Sequence, residues 1–337
     1  MSDPPKKVVL RVPATTANLG PAYDVLGMAL SIFMEVTVEH ADEFSVHLEG
    51  DGSEHISADR ENLMVKACEL AFTEFAKKAM PPLKFTMKSN IPFGCGCGSS
   101  SAAAVAGFVA GMKLCGLTMK TEEEEALLQV IARFEGHPDN AAPAIYGGIQ
   151  LGYKDNNGRF LTYRVPTPAS LLVVLFVPKN KMKLNTHATR NLIPSSVSLE
   201  DTVFNISRSS ILVLALCTGD LRLLKSCDDK LHQKQRADAL FPHFRPCVDA
   251  AMAAGAHYAF LSGAGPSVCA LVGGRHGDPL TQPRGERIAE SVAEAMIQAA
   301  NAVGVAGRAI LTQPSDQGVH CVGVTTIRPD MEYISIW

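Results

Sequence analysis

Pro92-Phe93-Gly94-Cys95-Gly96-Cys97-Gly98-Ser99-Ser100-Ser101 sets glycine at every second position and then runs into serine. Alternating glycines allow backbone conformations closed to other residues, and consecutive inward N–H groups form an anion nest. Residues 102–117 are small and apolar enough to read as a helix. That helix adds unpaired N–H donors and the positive end of its dipole at the same spot. Hydroxyls at Ser99, Ser100 and Ser101 stand where a phosphate or a magnesium ion would be met. Walker A chemistry is excluded because no lysine follows Gly98. A dinucleotide fingerprint is excluded because its third glycine would fall at Ser99.

A second cluster, Phe134-Glu135-Gly136-His137-Pro138-Asp139-Asn140, concentrates two acids, an imidazole and an amide at a helix end. Phosphoryl transfer asks a protein for Mg²⁺ on the phosphates, a positioned hydroxyl and charge stabilisation. Glu135 and Ser100 are hard oxygen donors of the kind Mg²⁺ takes. On local grounds the cluster reads equally as a capped helix end with a solvated acid.

The elements that would carry these clusters follow from periodicity. Strands are expected at 8–12, 32–40 and 83–89, with 44–48 as the hairpin partner of 32–40. Helices are expected at 62–78 and from Thr121, where Glu124 completes a capping box, to Glu135. Glu122–Glu125 complement the start of that helix, with a metal site as the other reading. Residues 136–148 read as turns. A buried strand follows at 171–177, then helices at 199–218, 220–225 and 244–254. Strands at 257–261 and 268–272 flank a glycine-rich turn at 262–267, and a helix at 286–303 precedes strand-like closing segments. The mixed order implies an α+β fold. The 337 residues, 47% of them apolar, suit two domains, 1–160 and 161–337.

The formal net charge of −3 gives no reason to expect nucleic acid or an anionic membrane as partner. Nine cysteines without a Cys-x-x-Cys spacing argue against a disulfide framework and for a reducing compartment, hence a cytoplasmic protein. Cys95 and Cys97 either fill a tight loop as small apolar groups or present redox-sensitive thiols near a ligand. The polar start of the chain has no signal-peptide core, and no apolar run is long enough to span a bilayer. The sequon Asn205-Ile206-Ser207 is therefore read as accidental.

Three segments together resemble the GHMP kinase superfamily: Arg11–Asp24, Pro92–Ala103 and Leu261–Ser267. Glu135–Asn140, continued by Ala141-Ala142-Pro143-Ala144-Ile145-Tyr146-Gly147-Gly148, is similar to its homoserine kinase branch. The resemblance implies an N-terminal domain like ribosomal S5 domain 2 and a ferredoxin-like C-terminal domain. It implies ATP and Mg²⁺ as cofactors and L-homoserine as the small-molecule substrate, and it admits a homodimer. By the same resemblance ATP lies along Pro92, Gly94, Gly96, Gly98 and Ser99–Ser101, with Asn62 near the adenine and Lys88 beside the nucleotide. Ser100 and Glu135 hold Mg²⁺. Asn18, Asp24, His137 and Asn140 face the substrate from one side, and Thr186, Arg190 and Arg236 from the other. An ammonium calls for a carboxylate such as Asp24, and a carboxylate for a guanidinium fork. Asp139 and Asn140 compete for the place beside the reacting hydroxyl, with Asn140 favoured as an orienter and Arg190 alongside. The family's usual Pro-Gly-Phe-Asp reads Pro21-Ala22-Tyr23-Asp24 here, Cys97 replaces a common leucine, and Ser101 a common alanine. A kinase of another alcohol such as mevalonate or shikimate, or a non-catalytic ligand sensor of the same fold, are the competing functions. Retention of the phosphate loop and both proposed Mg²⁺ ligands speaks against the sensor.

Overall fold

The computed structural model describes residues 4–117, 121–179, 189–273 and 288–325, with backbone alone at 121–125 and 324–325. In chain order the first part holds β1 (Lys7–Ala17), β2 (Leu26–His40), β3 (Ser45–Gly50), α1 (Leu63–Leu70), β4 (Leu83–Ser89), α2 (Ser99–Leu114), α3 (Thr121–Glu135), α4 (Ala141–Tyr146), β5 (Ile149–Lys154) and β6 (Phe160–Val165). Next come β7 (Leu171–Pro178), α5 (Leu199–Thr218), α6 (Gln233–Leu240), α7 (Phe244–Ala253), β8 (Tyr258–Leu261), β9 (Val268–Gly273), α8 (Ile288–Ala302), β10 (Gly307–Thr312) and β11 (His320–Thr325).

The alternation in β1 buries Val8, Leu10 and Val12 while Arg11 faces solvent. β1 lies between β11 and β2 in a seven-stranded sheet of order β11-β1-β2-β4-β3, with β5 and β6 continuing from β2. The 15-residue β2 serves two neighbours: Leu26–Met28 ladder with β5, and Met34–His40 with β4.

The expected hairpin between β2 and the strand near 44–48 is not formed. β3 pairs in parallel with β4, which lies between it and β2. Composition explains the order. Leu83, Phe85 and Met87 give β4 a buried face, whereas β3 buries no residue fully and suits the sheet edge. The helix expected over 62–78 ends at Leu70 and widens into a π turn, Ala71–Phe75. Residues 136–148, read as turns, contain the short helix α4; α6 and β6 were likewise not expected.

The run expected as a buried strand is β7, central in a four-stranded antiparallel sheet of order β10-β7-β9-β8. Its continuous apolar sequence follows from burial on both faces. Val173, Leu175 and Val177 join the core of the larger sheet, and Val174 and Phe176 pack with Cys247 of α7 and Met296 of α8. Two sheets over two buried clusters give the α+β architecture. The sheets do not divide at 160/161, because β6 ladders with β5 and β11 with β1 in the larger sheet. Among the described residues no helix is long and apolar enough to cross a membrane. The sequon asparagine, Asn205, is buried and donates to the Pro21 carbonyl and to Asp229.

Candidate active site

Three chain segments far apart in sequence meet at the ends of β1, β8 and α2. Thr15 N–H donates to the Cys97 carbonyl (3.1 Å), and the Gly263 N–H to the Ala17 carbonyl (3.2 Å). Ser262 Oγ donates to the Gly96 carbonyl (2.7 Å) and lies 2.8 Å from Thr16 Oγ1. Gly96 has φ 73°, and a Cβ there would stand 2.1 Å from the Ser262 carbonyl oxygen. At Gly98 (φ 67°) a Cβ would stand 1.8 Å from Thr15 Oγ1. The glycines are thus required by the packing of one motif on another as well as by the turn.

α2 begins at Ser99, three residues before the expected start, and no side chain caps it. Its first N–H groups are left to the cleft, whose wall includes Gly94, Gly96, Gly98, Ser99 and Ser100. Ser101 turns inward: it is buried and its hydroxyl donates to Glu135. The Glu135 carboxyl is buried, and Oε2 has no protein partner. Burial pushes it up to about 7, against the opposing Ser101 hydrogen bond and a weaker one from Ser100. An orphaned carboxylate oxygen with two serine hydroxyls beside it is a hard-oxygen set that fits a divalent cation.

Cys95 and Cys97 are fully buried within the loop, and burial raises the Cys97 thiol far above its ordinary value. Of their two readings, the geometry matches the small apolar filler.

Past α3, His137 and Asp139 pair through Nδ1 and Oδ1, with Asp139 almost wholly buried. Burial alone would lower the His137 pKa, but the hydrogen bond and charge of Asp139 outweigh it and the net direction is up. Asn140 Oδ1 accepts from the Thr15 hydroxyl at 2.7 Å. With Thr15 fixing the carbonyl oxygen, the two N–H donors of the Asn140 amide remain for the cleft it lines.

On the facing wall Arg190 forms a two-pronged ion pair with Asp24 (2.8 and 3.0 Å). Burial works against the Arg190 charge, but the bonds to Asp24 prevail and raise its pKa. Asp24 sits at φ 59°, its N–H donating to Asn18 Oδ1 at 2.9 Å. Asn18 in turn donates to the Gly263 carbonyl at 3.1 Å. Arg236 on α6 is 2% exposed and donates to the Gly263 carbonyl at 3.2 Å, while its Nε has no partner. Burial is the main reason its pKa is lowered, with the Arg190 charge adding to it. Asp229 fixes that helix from below, accepting from the N–H groups of His232 and Gln233 (2.9 and 2.7 Å).

Asn18, Asp24, the phosphate-loop glycines, Ser99, Ser100, His137, Asp139, Asn140, Arg190 and Arg236 thus come to one cleft. Glu135 and Ser101 stand behind its wall. Pro92 is buried at the foot of the loop. Asn62 and Lys88 do not line this cleft. Asn62 caps α1, accepting from Met64 N–H (2.9 Å) and donating to the Ser57 carbonyl (2.7 Å). Lys88 on β4 pairs with Glu49 on β3 at 3.2 Å on the solvent-exposed face of the sheet. Thr186 lies outside the described residues, as do the side chains of Glu122–Glu125. Thr15, Tyr23 and Ser262 are participants that periodicity did not single out; their signal is position inside the first and third motifs.

Residues 62–148 match the model of the GHMP kinase N-terminal domain, and residues 212–301 that of the GHMP kinase C-terminal domain. A homoserine kinase of Desulfitobacterium hafniense is 37% identical over 313 residues, spanning 92% of this chain and 98% of the relative. One from Moorella thermoacetica is 39% identical over 268 residues, 79% and 88% of the two chains. The crystal structure of homoserine kinase from Cytophaga hutchinsonii superposes with a TM-score of 0.79 at 25% identity, covering 94% of this chain and 98% of that one. A mevalonate kinase of L. major shares the fold, with a TM-score of 0.64 at 17% identity.

Proposed function

The chain belongs to the GHMP kinases, in the homoserine kinase branch, and from that premise we propose that its cleft transfers the γ-phosphoryl group of ATP to the hydroxyl of L-homoserine. The product is O-phospho-L-homoserine, for threonine biosynthesis in the cytoplasm. The observation that carries the substrate is the facing set of charges: Asp24 with His137 and Asp139 on one wall, Arg190 and Arg236 on the other. Ligand atoms of Asp24, His137 and Asp139 lie within 4.8 Å of one another, a locus for a small cation such as an α-ammonium. The orphaned Nε of buried Arg236 and the fork of Arg190 suit an α-carboxylate.

The uncapped N-terminus of α2 and the N–H groups of the glycine loop receive the triphosphate. Glu135, Ser100 and Ser101 would hold Mg²⁺, which when bound neutralises charge on the phosphates. The substrate oxygen forms a bond to the γ-phosphorus as the bond from phosphorus to the ADP oxygen breaks. Asn140 is an amide and takes no proton; Thr15 fixes its carbonyl oxygen, and its N–H donors orient the hydroxyl. Asp139 is buried against His137, so it positions that imidazole and is not a free base. The hydroxyl proton leaves with the transferred phosphoryl group, and catalysis rests on orientation and electrostatics.

Release of ADP in the presence of ATP, Mg²⁺ and L-homoserine tests the reading. Turnover should fall sharply with 4-hydroxybutyrate, which lacks the amine. Equal turnover of mevalonate or shikimate, or none by folded protein, would overturn it.

A further inference from the structure

Tyr23 lines the cleft next to Asp24, and both cleft arginines lie over its ring. The guanidinium carbon of Arg190 is 5.3 Å from the ring centroid and that of Arg236 is 5.5 Å. The ring itself rests on His232 at 4.9 Å, one turn before Arg236 on the same segment. Two like charges in a half-buried cleft repel, and that repulsion contributes to the lowered pKa of Arg236. A ring face with its negative quadrupole offsets this for both cations together.

The two arginines are otherwise held by different things. Arg236 is tied to the Gly263 carbonyl and to His232 Nδ1, each at 3.2 Å. Arg190 is tied to Asp24. An arriving ammonium that engages Asp24 competes for that tie, whereas the contact of Arg190 with the Tyr23 ring is left in place.

We propose that Tyr23 is a specificity-determining residue: its ring sets the spacing of Arg190 and Arg236 as a paired receptor for the substrate carboxylate. The inference rests on the homoserine reading above and adds a residue whose loss is felt by the carboxylate alone. No hydroxyl chemistry of the phenol is involved.

The test compares homoserine with homoserinol, in which a hydroxymethyl group replaces the carboxylate. Tyr23→Leu and Tyr23→Met remove the ring and are expected to raise KM for homoserine about tenfold, the size of two cation–π contacts. KM for homoserinol and for ATP should change less than about twofold, the same order as ordinary surface effects. Activity on homoserinol also reports that the variants fold. Tyr23→Phe restores the ring and should bring KM for homoserine back to within about threefold of the unsubstituted chain. The proposal is overturned if the ring-less variants lose both substrates equally, if they lose neither, or if Tyr23→Phe behaves like Tyr23→Leu. Failure of the unsubstituted chain to use homoserine would instead sink the functional reading on which the proposal rests.

Discussion

Asp24 and Arg190 are bound to each other by two hydrogen bonds, 2.8 and 3.0 Å, across the cleft in which each is proposed to meet the substrate. A substrate with one charge can satisfy one of them and leaves the other without its partner. A zwitterion replaces both at once. Asp24→Asn is therefore expected to lower kcat/KM for homoserine by about a hundredfold, the scale of removing one member of a partly buried charge pair. The preference for homoserine over 4-hydroxybutyrate should fall close to unity. Steady-state kinetics with the two substrates measures both, and an unchanged preference would remove the ammonium from Asp24.

The neighbouring pair at the end of α3 separates orientation from proton transfer. Asn140→Ala should lower kcat by roughly 10- to 100-fold with little change in KM for ATP, as expected for a misoriented nucleophile. Asp139→Asn weakens the tie on His137 and should cost less. The reverse order, a large kcat loss for Asp139→Asn and a small one for Asn140→Ala, would make Asp139 the base.

Glu135 ties stability to pH. Its pKa is raised from 4.5 to about 7, so the folded state favours the protonated form. The stabilisation from protonation is complete below the unfolded value and is lost as pH rises through 7. In Mg²⁺-free protein this group should account for about 3 kcal/mol of decline between pH 4.5 and pH 8. Denaturant midpoints across that range should show a slope that Glu135→Gln lacks. A slope shared by both proteins would place its origin elsewhere.

Gly96→Ala tests the junction of motifs. The added Cβ would meet the Ser262 carbonyl at 2.1 Å, and φ 73° disfavours any side chain. The variant should lose more than about 1 kcal/mol of stability and raise KM for ATP. Thermal melting and ATP titration read the two effects, and a melting temperature equal to the parent would contradict the clash.

The phosphate loop was legible in the sequence because its chemistry is local: glycines, serines and the helix after them are adjacent residues. So were the strand at 171–177 and the helix at 199–218, where a long apolar pattern dominates. β3 was misjudged because proximity in sequence suggested a hairpin, whereas the more apolar β4 took the inner place. α4 was hidden by its six-residue length and by Pro143. The locations of Asp24 and Arg190 came from resemblance. Their pairing, and the approach of cations from two segments to the ring of Tyr23, depend on tertiary contacts that no spacing encodes.

The pairing of β11 with β1 has a bearing on biosynthesis. During translation Lys7–Arg11 are made well before their partners, His320–Thr325, which follow every strand of the smaller sheet in the sequence. Until then β1 presents an open hydrogen-bonding edge to the crowded surroundings of the nascent chain. Such an edge invites pairing with foreign strands. Delay or loss of β11 should therefore appear first as poor soluble yield, before any defect in the chemistry of the cleft.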